Sequence, residues 1–395
     1  MSSMPVAEKP LSQPSGLVFT ARLLAAIVIF AAVAPGILMT APAVAAQLAS
    51  EWQLTPAEIG YLFSAETRRH EPGDAAGMVV DESSELAPRG PVRLRGISRR
   101  QSCFGGGQSV RNAADRPLHR LAGGGTLMIL CISCAAGTAN PSRVYAFWVL
   151  GQLLLGMVGL LVLPALFASF GLKVVYLILA AIMLCCLPLV PAFPQRFQPM
   201  SASRLRPSVA PLRKLLAVLA VLTFYISLSA VWTFIGTIGS AAGLTAAQIG
   251  MVLAAATVFG IIGAGGAALR GTRRPDRIAV WLGYGLLILS IVLLVSHPLL
   301  VRFALAALLF KFTWTFVLPF ILARVAGLDN NGRLMNSINL VIGGGMAAGP
   351  ALAGALLQRF SSADALLAAA GGCALISAGL ILAASSAGKS EPTGG

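Results

Sequence analysis

Long stretches without a charged side chain constrain this chain more than any other feature. No Asp, Glu, Lys or Arg occurs in eight runs, 23–50, 121–142, 144–172, 174–195, 215–269, 278–301, 334–358 and 365–388. About 20 apolar residues in a helix span the hydrocarbon core of a bilayer. In lipid the backbone must satisfy its hydrogen bonds internally, which runs of this length do as helices. The runs therefore predict an all-α integral membrane protein.

One run is too long for a single span, and one further span contains charges. The run 215–269 is interrupted by the small and polar residues 239–245, so it predicts two helices. The segment 300–323 carries Arg302 and Lys311 and is otherwise apolar. Together these segments give ten candidate spans.

The composition excludes several classes of protein. Hydrophobic residues make up 57% of the chain and charged residues 11%, whereas about a quarter of a soluble globular protein is charged. Cys131 and Cys134 form a CxxC pair inside an apolar run, with no second Cys or His pair beside them, so we expect packing residues and no metal. The spans contain no cluster of His, Asp, Glu or Cys, so we expect neither an enzyme nor a cofactor.

The basic residues are distributed unequally between the two predicted membrane sides. With the N-terminus inside, 15 Lys and Arg lie at cytoplasmic positions and three, Lys173, Arg302 and Arg359, on the opposite side. Cytoplasmic loops of membrane proteins collect Lys and Arg. The net charge of +15 therefore indicates topology and no nucleic-acid partner, and we expect a plasma (inner) membrane protein with both termini cytoplasmic.

The chain contains an internal repeat with a fixed offset. Residues 54–65 match residues 244–255 with six identities in twelve positions, at an offset of 190. The same offset aligns Ala136, Gly137, Asn140 and Arg143 with Ala326, Gly327, Asn330 and Arg333, and a nearby offset aligns 164–166 with 350–352. Two halves of the chain therefore follow one plan, and parallel six-helix repeats are a transporter architecture.

With this repeat, a basic linker at 195–214 and a basic turn at 270–277, the chain resembles the major facilitator superfamily. The resemblance implies two pseudo-symmetric six-helix bundles, 1–194 and 215–385, followed by a cytoplasmic tail, 386–395. It implies secondary transport of a small organic solute by alternating access, driven by a proton, ion or solute gradient. It also implies gate contacts in the basic turn, for which Arg273, Asp276 and Arg277 are candidates. A multidrug efflux pump of the same superfamily is an alternative.

Residues 67–120 do not fit this plan. They contain ten Arg and six Asp or Glu, which is 16 charges in 54 residues, where the repeat requires the end of helix 2 and all of helix 3. An inserted disordered loop would have such a composition, but the repeat offset is the same on both sides of the window.

We therefore interpret the window as a translated frameshift that disrupts helices 2 and 3. Codons for Met78 and Val79, read one base later, contain an obligatory Trp codon. A defective, non-transporting product is a further alternative.

The candidate substrate residues follow from charge, spacing and the resemblance, which implies that helices 1, 4, 7 and 10 line a central cavity. Lys311 lies near the middle of a span, where a charge needs a polar cavity or a counter-charge, and Trp314 lies close to its face. The alternative for Lys311 is a snorkelling or paired structural lysine. Helix 7 carries a polar-aromatic stripe with spacings of three and four, Ser229, Trp232, Thr233 and Thr237. The alternative for its hydroxyls is bonding to helix backbone. Glu66 on helix 2 is a candidate proton carrier or, alternatively, a partner of Lys311.

Overall fold

The computed structural model describes residues 21–68, 131, 134, 141–193, 210–270, 277–328 and 333–386. Within these ranges the chain is helical and contains no strand. In chain order the helices are α1 (Ala21–Val33), α2 (Gly36–Met39), α3 (Ala41–Glu51), α4 (Pro56–Arg68), α5 (Pro141–Phe170), α6 (Lys173–Cys185), α7 (Pro211–Ala241), α8 (Ala246–Arg270), α9 (Arg277–Val292), α10 (Leu300–Leu328), α11 (Arg333–Phe360) and α12 (Ala363–Ser386). A 3₁₀ helix, Leu187–Ala192, follows α6.

Six of the described helices, α5, α7, α8, α10, α11 and α12, are long and apolar enough to cross a bilayer. Their outer faces expose large apolar side chains, among them Leu269, Val301 and Phe170. A water-facing surface would not carry so many exposed apolar side chains over so many helices. The chain is therefore a multi-pass membrane protein, as its uncharged runs predict. The window 67–120 lies outside the described residues except for Thr67 and Arg68.

The run 215–269 forms two helices, as predicted, and the turn between them has a specific geometry. The Gly243 N–H donates to the Ser240 carbonyl (3.0 Å) and the Leu244 N–H donates to the Gly239 carbonyl (3.1 Å). These two bonds form a Schellman motif, which requires a left-handed residue at its centre. Gly243 has φ +83°, and Gln53, its counterpart 190 residues earlier, has φ 52°. The left-handed backbone is therefore part of the repeat.

The run 23–50 is not one continuous helix, although its composition is uniform. It forms α1, α2 and α3, with breaks near Pro35 and at Thr40. Proline lacks a backbone N–H and clashes with the preceding turn, and Pro42 stands two residues after the second break. The proline positions explain the interruption, and they leave the Ala31 and Leu38 carbonyls without the N–H donors that a continuous helix would supply.

The repeated segment that begins α4 and α8 is a capping box in both places. The Thr55 N–H donates to Glu58 Oε2 (2.9 Å), and the Glu58 N–H donates to Thr55 Oγ1 (3.4 Å). In α8 the Thr245 N–H donates to Gln248 Oε1 (2.9 Å), and the Gln248 N–H donates to Thr245 Oγ1 (3.3 Å). This pattern satisfies two backbone donors at a helix start. The capping box is therefore one structural reason for the sequence similarity of the two segments.

The two repeated motifs of the sequence pack against each other crosswise. A Cβ on Gly60 of α4 would clash with the Pro350 carbonyl of α11, and Ser64, one turn later, donates to the Ala347 carbonyl. A Cβ on Gly250 of α8 would lie 2.6 Å from the Leu160 carbonyl of α5. Glycine permits this close backbone approach between membrane helices. The same glycine contact is therefore made twice, once by each copy of the repeat.

We predict that Gly60→Ala destabilises the protein, because its methyl group would overlap the Pro350 backbone. Overpacking a tight contact costs roughly 1–3 kcal/mol. The matched control is Gly265→Ala in α8, where an added Cβ meets no atom within 4 Å. Thermal unfolding in detergent should show a lower midpoint for the first variant and an unchanged or higher midpoint for the second. Equal midpoints would contradict the close contact between α4 and α11.

Candidate functional site

A buried polar and aromatic group lies where α7, α10 and the α2–α3 break meet. Trp232 of α7 is 1% exposed and Lys311 of α10 is 3% exposed. Trp314, one turn after Lys311 on α10, is also buried. We call Lys311, Trp232 and Trp314 the lysine cluster.

Trp232 reaches a backbone carbonyl that a proline has left without its helical partner. In an α-helix the carbonyl of residue 38 accepts from the N–H of residue 42, but Pro42 has none. The indole Nε1–H of Trp232 donates to the Leu38 carbonyl at 3.2 Å. One turn later on α7, a Cβ on Gly236 would lie 2.6 Å from the Pro42 carbonyl. Trp232 and Gly236 therefore fix α7 against the break in the first span.

The ammonium of Lys311 lies on the faces of two indole rings. Its Nζ is 3.8 Å from the ring centroid of Trp232 and 4.3 Å from that of Trp314. The two rings are perpendicular, with centroids 6.2 Å apart. A cation on an aromatic face gains roughly 0.5–2 kcal/mol, against roughly 2.5–3.5 kcal/mol for inserting a lysine at the centre of a membrane helix. The rings therefore offset part of the cost of this charge.

Among the described residues, no carboxylate pairs with Lys311. Its stem packs on α8, where a Cβ on Gly260 would lie 3.1 Å from Lys311 Cγ. Thr315, one turn after Lys311, donates its hydroxyl to the Gly260 carbonyl at 2.5 Å. Gly260 thus makes room for the aliphatic stem, and the charged end points toward the rings.

The stripe predicted on helix 7 is divided between different neighbours. Trp232 belongs to the lysine cluster, whereas Ser229 donates to the Gly345 carbonyl of α11 (3.1 Å) and to the Tyr225 carbonyl of its own helix (2.7 Å). Ser229 therefore serves helix packing, which is the alternative considered for these hydroxyls. Thr233 and Thr237 have hydroxyls that are buried without a hydrogen-bond partner in the described part of the chain. Thr313 of α10 has the same property.

The other described candidates, Glu66 and Arg277, are not part of the lysine cluster. Glu66 lines a small cavity together with Leu62 and Phe63 of its own helix and Tyr176 of α6. Lys311 is not part of that lining. Arg277 is exposed at the start of α9, while Arg273 and Asp276 lie outside the described residues. Cys131 and Cys134 are buried free thiols, and the described residues contain no group of His, Cys, Asp and Glu that could hold a metal.

Two parts of the site do not follow from the charges and spacings of the sequence. The first is the Leu38 carbonyl, whose signal is Pro42 inside an otherwise uniform apolar run. The second is Gly260, whose role depends on contact with a helix about 50 residues later. The Trp314–Lys311 contact follows the expected one-turn spacing on α10.

We predict that Trp232→Phe lowers the thermal unfolding midpoint, because the Leu38 carbonyl loses its donor while an aromatic face remains for Lys311. Leaving a buried acceptor unsatisfied costs roughly 1–3 kcal/mol. The matched control is Trp281→Phe on the lipid-facing side of α9, where the indole is 62% exposed. If both variants unfold at the same temperature in detergent, the indole hydrogen bond contributes nothing and this description of the site is wrong.

Comparison with known proteins identifies the fold. No protein-family model matches the sequence, and no curated protein sequence matches it. Among solved structures, a bacterial homologue of the human lysosomal transporter Spinster, in an inward-facing and occupied conformation, is 14% identical and has a TM-score of 0.64. The match covers 92% of this chain and 96% of the homologue.

The nucleoside transporter NupG is 12% identical, with a TM-score of 0.69 over 92% of this chain and 99% of its own. Both structures are transporters and not enzymes. Identities this low show the fold alone, and the fold agrees with the resemblance carried by the repeat and the basic turn. The chain therefore shares the fold of these two solved membrane transporters.

Proposed function

We propose that this protein is a secondary transporter that moves a small organic solute across the plasma (inner) membrane by alternating access. Its halves are the two six-helix bundles, residues 1–194 and 215–385, joined by a basic cytoplasmic linker. Both termini are cytoplasmic. The observation that carries the proposal is the lysine cluster, a buried cation at the contact between the first span and α7, within a transporter fold.

The contacts between the proposed halves are suited to opening and closing. The pairs Gly60–Pro350 and Gly250–Leu160 are close backbone contacts between small or kinked helix segments. Contacts of this kind are held by packing, so they separate without leaving buried charges. They lie toward the helix ends that carry the capping boxes, opposite the basic turn 270–277. We assign this end to the outer face of the membrane, because the basic turn indicates the cytoplasmic face.

Glu66 is the proposed coupling residue. It lines the cavity between α3, α4 and α6, and no residue of the lysine cluster belongs to that lining. A carboxyl group inside a transporter commonly carries protons. Coupling and solute binding are therefore assigned to different places, with Glu66 in the first half and Lys311 in the second.

A defective product is the second candidate, and the 16 charges of residues 67–120 favour it. Reading the gene over codons 67–121 separates the two candidates at the level of the DNA. An alternative frame that encodes an apolar helix supports the frameshift interpretation. An open frame with no apolar alternative contradicts it and leaves the window as a genuine part of the protein.

We predict that locking α4 to α11 stops transport. In a background without native cysteines, Ser64→Cys with Ala347→Cys places thiols where the Ser64 side chain of α4 meets the Ala347 backbone of α11. Oxidation should abolish solute flux in proteoliposomes, measured with and without a pH gradient, and reduction should restore it.

The control pair for this experiment is Ser296→Cys with Asp364→Cys, which lies within the second half. The Ser296 N–H donates to the Asp364 carboxylate at 3.1 Å. Oxidation of this control pair should leave flux unchanged, because the disulfide joins two residues of the same half, which move together. Flux that persists through the crosslink between α4 and α11 would end the alternating-access proposal. Absence of flux for every solute tested, with the uncrosslinked protein, would end the transporter proposal.

A further inference from the structure

We propose that Lys311 binds the carboxylate of a small organic monoanion whose apolar body packs against Trp232 and Trp314. The inference rests on the proposed transport function, because it names the class of solute that the lysine cluster accepts. It is carried by the geometry of the cluster and by the distribution of charge along α10.

Lys311 has no counter-charge in the described part of the chain. The ammonium of Lys311 is buried, and in the described part of the chain it faces two indole rings and no carboxylate. A carboxylate makes a stronger, charge-assisted hydrogen bond to an ammonium than an aromatic face can offer. The hydrogen bond that Lys311 makes to a bound carboxylate is therefore stronger than the cation–π contacts that it replaces.

The positions of the other cations on α10 limit the number of negative charges that the site can pair on one solute. Arg302 and Arg324 are the other cations of α10, nine and 13 residues from Lys311. At 1.5 Å per residue they lie about 14 Å and about 20 Å away along the helix axis. A second carboxylate on a small molecule cannot reach either of them while the first is bound to Lys311. The cluster therefore favours one negative charge.

The aromatic rings of the lysine cluster favour a particular shape for the apolar body of the solute. Trp232 and Trp314 are perpendicular to each other, and Phe310 is perpendicular to Trp314 at 6.2 Å. Aromatic side chains in this arrangement present both faces and edges to a flat guest ring. An aromatic or similarly flat carboxylate fits this environment better than a hydrated anion such as acetate.

Solute binding at this place acts on a contact between the proposed halves. The ring of Trp232 that faces Lys311 is the same ring whose N–H donates to the Leu38 carbonyl. A carboxylate that draws Lys311 away from Trp232 changes the surroundings of that ring. The lysine cluster thus places solute recognition beside a hydrogen bond that joins α7 to the first span.

The test uses purified full-length protein and three probes of similar size, benzoate, benzamide and benzylammonium, with acetate as the small carboxylate. Thermal shift and calorimetric titration are measured for the wild type, Lys311→Met and Lys311→Arg. Lys311→Met keeps an apolar stem in an apolar place and is expected to fold. The matched control is Lys173→Met, which removes an exposed lysine at the start of α6.

We expect benzoate to bind the wild type more tightly than acetate, with no binding of benzamide or benzylammonium. Lys311→Met should lose roughly tenfold or more in benzoate affinity, because one charge-assisted contact is removed. Lys311→Arg should retain part of the affinity, and Lys173→Met should retain all of it. Equal binding of benzoate and benzamide, unchanged benzoate binding in Lys311→Met, or no carboxylate binding at millimolar concentration would each overturn the inference.

Flux measurements separate this inference from the proposed function. A protein that transports a neutral or cationic solute but no carboxylate is a transporter with a different substrate, so the function would stand and the inference would fall. A protein that binds benzoate through Lys311 but moves no solute would support the binding site and contradict transport. The first outcome is read from flux in proteoliposomes, and the second from that flux together with the titration of the same purified protein.

Discussion

The indole of Trp232 is the interaction on which the arrangement of the site depends. Its N–H satisfies the carbonyl that Pro42 leaves without a donor, and its face lies 3.8 Å from the ammonium of Lys311. Each of these groups is costly to bury alone, since an unsatisfied carbonyl and an unpaired ammonium both lose their contacts with water. One side chain reduces both costs, and in doing so it joins α7 to the first span and to α10. Loss of the indole N–H leaves the Leu38 carbonyl without its side-chain donor. Loss of the aromatic face removes a cation–π contact from the Lys311 ammonium.

The surrounding fold makes this arrangement possible through close contacts between helix backbones. Gly236 brings α7 against Pro42, Gly260 brings α8 against the stem of Lys311, and the crosswise contacts of Gly60 and Gly250 bring the repeated motifs together. Helices in lipid have no strong hydrophobic drive to associate, so close packing and interhelical hydrogen bonds hold them. Contacts of this kind suit a transporter, because they are specific in one arrangement and can be exchanged for others.

Much of the fold could be predicted from the sequence, because charge-free runs of membrane length leave few alternatives to helices. The break of the run 215–269, the repeated capping boxes and the neighbouring positions of Lys311 and Trp314 follow from local rules of spacing and composition. The three-part first span and the separate neighbours of Ser229 and Trp232 could not be predicted in this way. They depend on which helix lies opposite each position, and the repeat gives the order of the helices without their contacts. The Leu38 carbonyl carries no side-chain signal, so it becomes visible only when Pro42 is considered together with Trp232.

The most direct measurement of the central claim is the ¹⁹F NMR spectrum of the full-length protein labelled with 5-fluorotryptophan. The chain has five Trp residues, and single Trp→Phe variants assign their signals. We expect benzoate to shift the signals of Trp232 and Trp314 and to leave that of the lipid-facing Trp281 in place, while benzamide shifts none of the three. A spectrum in which benzoate leaves Trp232 and Trp314 unchanged would contradict the claim that the lysine cluster recognises the solute.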